Sequence, residues 1–168
     1  MTISMYETSV GSFVRVLNNL SAVLAKGAAH AETKKIDPAV LLSCRLYPDM
    51  FPLTRQVQIA TDGAKGCVAR LAGVEPPSFP DNESSFAELE ARIRKTIDYV
   101  QSFKPEQING SEARAVTLKL RNGEMNFEGL PYLLGFVLPN LYFHASTTYN
   151  ILRHNGVELG KMDFLGKP

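Results

Sequence analysis

Most of the signals that would point straight to a chemistry are missing from this sequence. Charge of one sign is missing: 18 Lys and Arg stand against 17 Asp and Glu, a formal net charge of +1. Nucleic-acid binders carry a clear basic excess, so this balance argues against that class of partner. No block of like charge marks an interaction tail. Long apolar runs are missing too. Nothing approaches the roughly 18 residues of a membrane-spanning helix. The opening stretch Met1–Phe13 lacks the basic-then-apolar order of a leader peptide. Together these absences predict a cytoplasmic protein with no membrane partner.

Cysteine is scarce, with Cys44 and Cys67 the only two. Without clustered histidines they cannot build a structural zinc site. A single disulfide would suit an exported protein, but nothing else indicates export. Cys67 falls on an apolar stripe, so a buried free thiol is the better reading. Gly160-Lys161 lacks the glycine spacing and preceding strand of a phosphate loop. There is no glycine-serine-glycine elbow and no paired-carboxylate signature. The length, 168 residues, suits one domain, 1–168, around a single core.

What is present is helical periodicity. Tyr6, Val10, Phe13, Leu17, Leu20 and Leu24 alternate steps of four and three, which predicts a helix over 3–26 closed by Gly27. Gly11 inside it suggests a close helix crossing. A polar loop is expected over 31–37, then a short helix opened by Asp37-Pro38, an N-cap and an N1 proline. Met50, Leu53, Val57, Ala60, Ala64, Cys67 and Leu71 keep the same spacing and predict a helix over 50–72, with Asp49 as its cap. Gln56 lies about 65° from the centre of that stripe. Gln58 and Asp62 fall on the far side. Ser85-Phe-Ala-Glu88 is a capping box. It opens a third helix over 86–103, with Phe86, Leu89, Ile93, Ile97 and Val100 inward.

The period then changes. Val116, Leu118 and Leu120 alternate with polar residues, as do Met125 and Phe127, and Arg121-Asn-Gly-Glu124 between them predicts a hairpin turning at Asn122-Gly123. The apolar run Tyr132–Leu138 leads into a last helix that starts at Pro139 and stops at Asn155-Gly156. A kink at Pro139 would divide the two. Its inward stripe is Leu138, Leu141, Ala145, Thr148 and Leu152, with His144 beside it. His154 and Arg153 suit the dipole of the last turn. An irregular tail follows Gly156. Four long amphipathic helices predict an all-α fold, a four-helix bundle. The small β-hairpin sits between the third and fourth long helices.

The run Pro139-Asn-Leu-Tyr-Phe-His-Ala-Ser-Thr-Thr-Tyr-Asn-Ile-Leu-Arg-His-Asn-Gly-Val157, the closing Gly160-Lys-Met-Asp-Phe-Leu-Gly166, and Arg45-Leu-Tyr-Pro-Asp-Met50 resemble a bacterial and fungal domain-of-unknown-function family. That family lies within the DinB/YfiT-like superfamily of proposed metalloenzymes. The resemblance spans nearly the whole chain. It implies a DinB/YfiT-like four-helix bundle with an unusual connection order, often a homodimer. In metal-binding members, three histidines hold a divalent metal: one on the second helix and two, four residues apart, on the last. Here His144 matches the later of that pair, Asn140 stands at the earlier place, and the second helix offers Gln56 and no histidine.

Amides are poor ligands for zinc or nickel. His144, Asn140 and Gln56 therefore form a degenerate metal site, and the plainer expectation is a core histidine hydrogen-bonded to an amide or a tyrosine. Asp49 and Thr148 are candidate pocket residues beside it. Asp49 would orient the imidazole as a base if it lay near. Two functions stay open. One is an uncharacterised dimeric bundle binding an unknown small molecule near His144, with no cofactor. The other is a metal-dependent enzyme, a thiol transferase or hydrolase, with an atypical ligand set. A third, an adaptor docking through the hairpin edge, has only Asn122-Gly123 behind it.

Overall fold

The computed structural model describes residues 3–120 and 122–166. Arg121, expected in the hairpin turn, and the side chain of Leu120 lie outside the described residues. The chain is mostly helical with one small antiparallel hairpin.

A π-helical turn, Glu7–Gly11, runs straight into α1 (Ser12–Lys34). The expected seam of Phe13, Leu17, Leu20 and Leu24 is buried. The helix does not close at Gly27 but continues to Lys34, so most of the expected loop is helical. Alanines carry the extra turns, and Ala31 is fully buried. Gly27 is where two neighbours approach: a Cβ there would lie 3.0 Å from Leu152 Cδ2 and 3.2 Å from Phe86 Cε1. Gly11, expected to serve a crossing, is exposed and would meet only Glu7 of its own helix.

Helix α2 (Pro38–Ser43) begins as expected, with the Asp37 carboxylate accepting from Ala39 N at 3.0 Å. Helix α3 (Leu53–Ala72) starts later than the stripe suggested. Asp49 does not cap it. Pro52 stands at the N-cap with no side-chain cap, and Thr54 Oγ1 instead donates to Leu42 O at 3.2 Å, tying α2 to α3. Helix α4 (Phe86–Gln101) has both halves of its capping box: Glu88 N donates to Ser85 Oγ at 3.2 Å, and Ser85 N to Glu88 Oε2 at 3.1 Å.

A short α5 (Pro105–Ile108) precedes β1 (Ala115–Leu120) and β2 (Gly123–Glu128). Leu120 pairs with Gly123, so Gly123, expected in the turn, belongs to the ladder. Gly123, at φ +142°, opens β2 in a conformation that side-chain-bearing residues avoid. Helix α6 (Gly129–Pro131), a π-helical stretch Tyr132–Val137 and α7 (Leu138–His154) then form one helical path. Pro139 sits in the first turn of α7 and does not divide it. The tail expected to be irregular contains α8 (Lys161–Leu165).

Helix α3 packs against both α4 and α7, and α1 packs against the same two. One apolar core fills the space between them. Its large, almost fully buried side chains include Phe13, Leu53, Leu89, Leu133 and Leu141. The hairpin is anchored below this core. Val116 and Leu118 are buried, and the Phe127 ring packs 5.6 Å from Tyr132 and 5.3 Å from Phe136. Arg70 on α3 donates to the Tyr132 hydroxyl at 3.2 Å. Backbone contact at the hairpin's foot is so close that a Cβ on Gly129 would fall 2.0 Å from Ser111 O.

The connection from α3 to α4 is held down by ionic contacts. Arg92, 4% exposed, donates from Nε to Thr61 Oγ1 at 2.7 Å and from Nη1 to Pro80 O at 2.9 Å. Its guanidinium also pairs with Asp62 at 2.8 Å, Asp81 at 3.1 Å and Glu83 at 3.0 Å. Gln58, expected on an outward face, is buried and donates to Glu83 at 2.9 Å. Lys65 pairs with Asp62 at 2.5 Å and stands 4.8 Å from the centre of the Phe79 ring. Removing the guanidinium takes the partner from Thr61, Pro80 O and Glu83, while Asp62 and Asp81 stay partly solvated. Arg92→Ala should therefore cost about 1–3 kcal/mol, and Arg92→Lys less, measured by urea unfolding.

Candidate functional site

The seam between α3 and α7 brings His144 and Gln56 together. Both are buried, at 7% and 1% exposure. Their side chains meet with His144 Nδ1 and Gln56 Oε1 2.6 Å apart. The amide's orientation follows from its other end, since Gln56 Nε2 donates to Phe51 O at 2.9 Å. That leaves Oε1 as the acceptor, so Nδ1 of the imidazole carries the proton. A three-member chain results: Nδ1–H to Gln56 Oε1, and Gln56 Nε2–H to the Phe51 carbonyl.

The opposite ring nitrogen is different. Ser111 Oγ is the one buried side-chain nitrogen or oxygen without a partner among the described residues. His144 Nε2 has no hydrogen-bond partner among those residues and is not fully enclosed, although the residue as a whole is only 7% exposed. The Phe143 ring stands edge-on to the imidazole, 5.3 Å between centres, and is itself 55% exposed. Phe51, whose carbonyl anchors Gln56, is 54% exposed. A buried, oriented imidazole thus stands beside the partly exposed Phe143 ring.

Burial holds the His144 pKa below the ordinary imidazole value, and the charge of Arg55 pushes it the same way. Arg55 is fixed by Gln58, at 3.1 Å, and by a salt bridge to Asp81. The ring is thus favoured in its neutral form, able to accept a proton or a hydrogen bond at Nε2.

The other expected site residues are placed differently. Thr148 is fully buried, and its hydroxyl donates to His144 O at 2.9 Å, which satisfies the helix and not the ring. Asn140 is half-buried one turn before His144 and faces Gly63 of α3, where a Cβ would lie 3.9 Å from its amide nitrogen. Among the described residues it makes no hydrogen bond to His144 or Gln56. Asp49 is exposed in the turn before α3, and no hydrogen bond among the described residues joins it to the imidazole.

These donors do not fit a divalent metal. One imidazole is met by one amide, Gln56, and that amide is spent on a hydrogen bond with Nδ1. Among the described residues no group of three or more His, Cys, Asp and Glu side chains gathers at one point. Cys67 is a free, fully buried thiol whose pKa is pushed well up by burial, so it is inert as a nucleophile; Cys44 is also free. The Arg92 clasp was not legible as a site. Its one sequence signal was the polar stripe Arg55, Gln58, Asp62 and Lys65 along a helix that already carries a full apolar face.

The comparisons with known proteins agree with this architecture. The family model described as Domain of unknown function (DUF1993) matches residues 5–165. The crystal structure of a protein described as a DinB family member, from Shewanella denitrificans, is similar over 97% of this chain and 92% of that one. The two share 42% sequence identity, with a TM-score of 0.88. No curated protein matches this chain.

His144 also makes stability depend on pH. Its folded pKa lies below the unfolded value of about 6.5, so the unfolded state binds the proton more readily. The contribution is complete above about pH 6.5 and is lost as the pH falls through the folded value. Unfolding free energy should therefore fall as the pH drops below about 6.5, and His144→Leu should flatten that slope, as read by denaturant titrations at each pH.

Proposed function

Since the chain belongs to the Domain of unknown function (DUF1993) family, within the DinB-like superfamily, we propose that it is a DinB-like four-helix bundle with a degenerate metal site. Its working site is a small-molecule pocket at His144. The observation that carries the reading is the 2.6 Å contact between His144 Nδ1 and Gln56 Oε1. An amide, itself anchored on a backbone carbonyl, orients the imidazole where superfamily resemblance would put a metal ligand. Nε2, left without a partner among the described residues, then serves as a neutral acceptor for a ligand's N–H or O–H, with the Phe143 ring beside it. No resident cofactor is needed for that role.

The alternative, a metal-dependent thiol transferase or hydrolase, has one feature in its favour: the unshared lone pair of Nε2. One imidazole is a weak hold on a metal without further donors. Protein made without a histidine tag, incubated with zinc, nickel or manganese and desalted, should retain well under one metal per chain by elemental analysis. Stoichiometric retention that disappears in His144→Ala would establish the alternative instead.

A homodimer belongs to the same proposal. Val40, Tyr47 and Phe51, on the segment before α3, are each more than half exposed, as is Phe143 on α7. Exposed apolar side chains of this size support self-association. No helix among the described residues is long and apolar enough to cross a membrane. A cytoplasmic dimer with no nucleic-acid partner is the reading we adopt. Light scattering coupled to size exclusion should give about twice the 18.5 kDa chain mass at micromolar concentration, and Phe51→Asp with Phe143→Asp should shift it toward monomer.

A further inference from the structure

A second site lies on the other side of α7, independent of His144. Helix α8 docks on α1 through three contacts. Lys26 pairs with Asp163 at 2.7 Å, Asn19 Nδ2 donates to Phe164 O at 3.0 Å, and Arg15 donates to Leu165 O from Nε at 3.3 Å and Nη2 at 3.0 Å. Between α1, α7 and this docked segment is a cleft of about 310 Å³. Its apolar wall is Val16, Phe164 and Leu165, and its polar groups are Ser12, Arg15 and Tyr142, with Asn19 at the floor.

The charge of the lining distinguishes this cleft. It contains a guanidinium and no carboxylate. The 260 Å³ cleft beside Phe79 includes Glu83 and Glu88, and the N–H groups of its Arg92 are taken up by Thr61, Pro80 O and carboxylates. The 540 Å³ groove at His30 includes Glu158, and its Lys26 is already paired with Asp163. Arg15 forms no ion pair among the described residues. It is held by a neutral carbonyl, which fixes the plane of the guanidinium without neutralising it, and Nη1 donates to none of those residues. An oriented guanidinium with unused N–H groups suits a carboxylate. The aromatic rings of Tyr142 and Phe164 suit a flat apolar body. The volume lies at the small end of ligand sites.

We propose that this cleft binds a small aromatic carboxylate. Its carboxylate accepts from Arg15 and the Ser12 or Tyr142 hydroxyl, and its ring lies against Phe164. Because α8 supplies one wall, occupancy also tightens the docking of the C-terminal segment on α1.

The test titrates sodium benzoate into the ¹⁵N-labelled full chain, with benzamide as the uncharged isostere. Expected are saturable amide shifts on α1 near Arg15, at Tyr142 and on α8, with benzamide weaker by about tenfold or more. Arg15→Gln should weaken benzoate to a similar degree. That variant also removes an anchor of α8, so the double variant Ser12→Ala with Tyr142→Phe, which removes the two hydroxyl donors and leaves every anchor in place, provides a second arm and should weaken benzoate clearly. The proposal is overturned by equal binding of benzoate and benzamide, by undiminished binding in the Ser12→Ala, Tyr142→Phe double variant, by saturable shifts elsewhere in the chain only, or by none at millimolar benzoate.

Discussion

The constraint on which the molecule depends is that α3 is covered on almost every side. Thirteen of its twenty residues are buried, and they include Gln56, Gln58, Thr61 and Lys65 as well as its apolar stripe. A polar group taken out of water must find a hydrogen-bond partner or cost on the order of 1–3 kcal/mol. Each of the two polar arrangements in this protein answers that demand. Gln56 is answered by His144 and the Phe51 carbonyl on the α7 side. Gln58, Thr61, Asp62 and Lys65 are answered by the α3–α4 connection and Arg92.

The two arrangements meet at Arg55. It is held by Gln58 and Asp81 in the clasp, and its charge acts on His144. The connection after α3 is therefore more than a tether between helices. By fixing Asp81 it fixes a cation whose field, together with burial, keeps the imidazole neutral. A neutral ring with Nδ1 protonated and Nε2 unpartnered among the described residues is a free acceptor. The order of causes runs from a covered helix, through paired polar groups, to one oriented nitrogen.

The long helices were legible because burial leaves a period in the sequence. Phe13, Leu17, Leu20 and Leu24, or Leu141, Ala145 and Leu152, announce one inward face whatever lies opposite. Local signals were equally readable: Asp37-Pro38, Ser85 with Glu88, and Asn155-Gly156 act within one turn. The errors came where distant contact overrode local sense. Gly27 resembles a stop, but Leu152 and Phe86 use it as a crossing point, and α1 runs on to Lys34. Asp49 is well spaced for a cap, yet α3 begins at Leu53. Gly123 belongs to β2, because strand pairing and not the Asn-Gly pair fixed the register.

For the candidate site, the sequence by itself determined which residue types stood available: one inward histidine, no second or third beside it, and amides at Gln56 and Asn140. It could not say which amide meets the ring. Rotation about the helix axis separates side chains by angle, but only packing of α3 on α7 sets their distance, and that brought Gln56 to Nδ1 while Asn140 and Asp49 stayed apart from it. Tertiary structure alone also made a buried cation of Arg92, an ordinary charged residue in its own helix. Periodicity records whether a side chain faces inward; hydrogen bonding and charge act across elements far apart in the chain, and only their juxtaposition decides them.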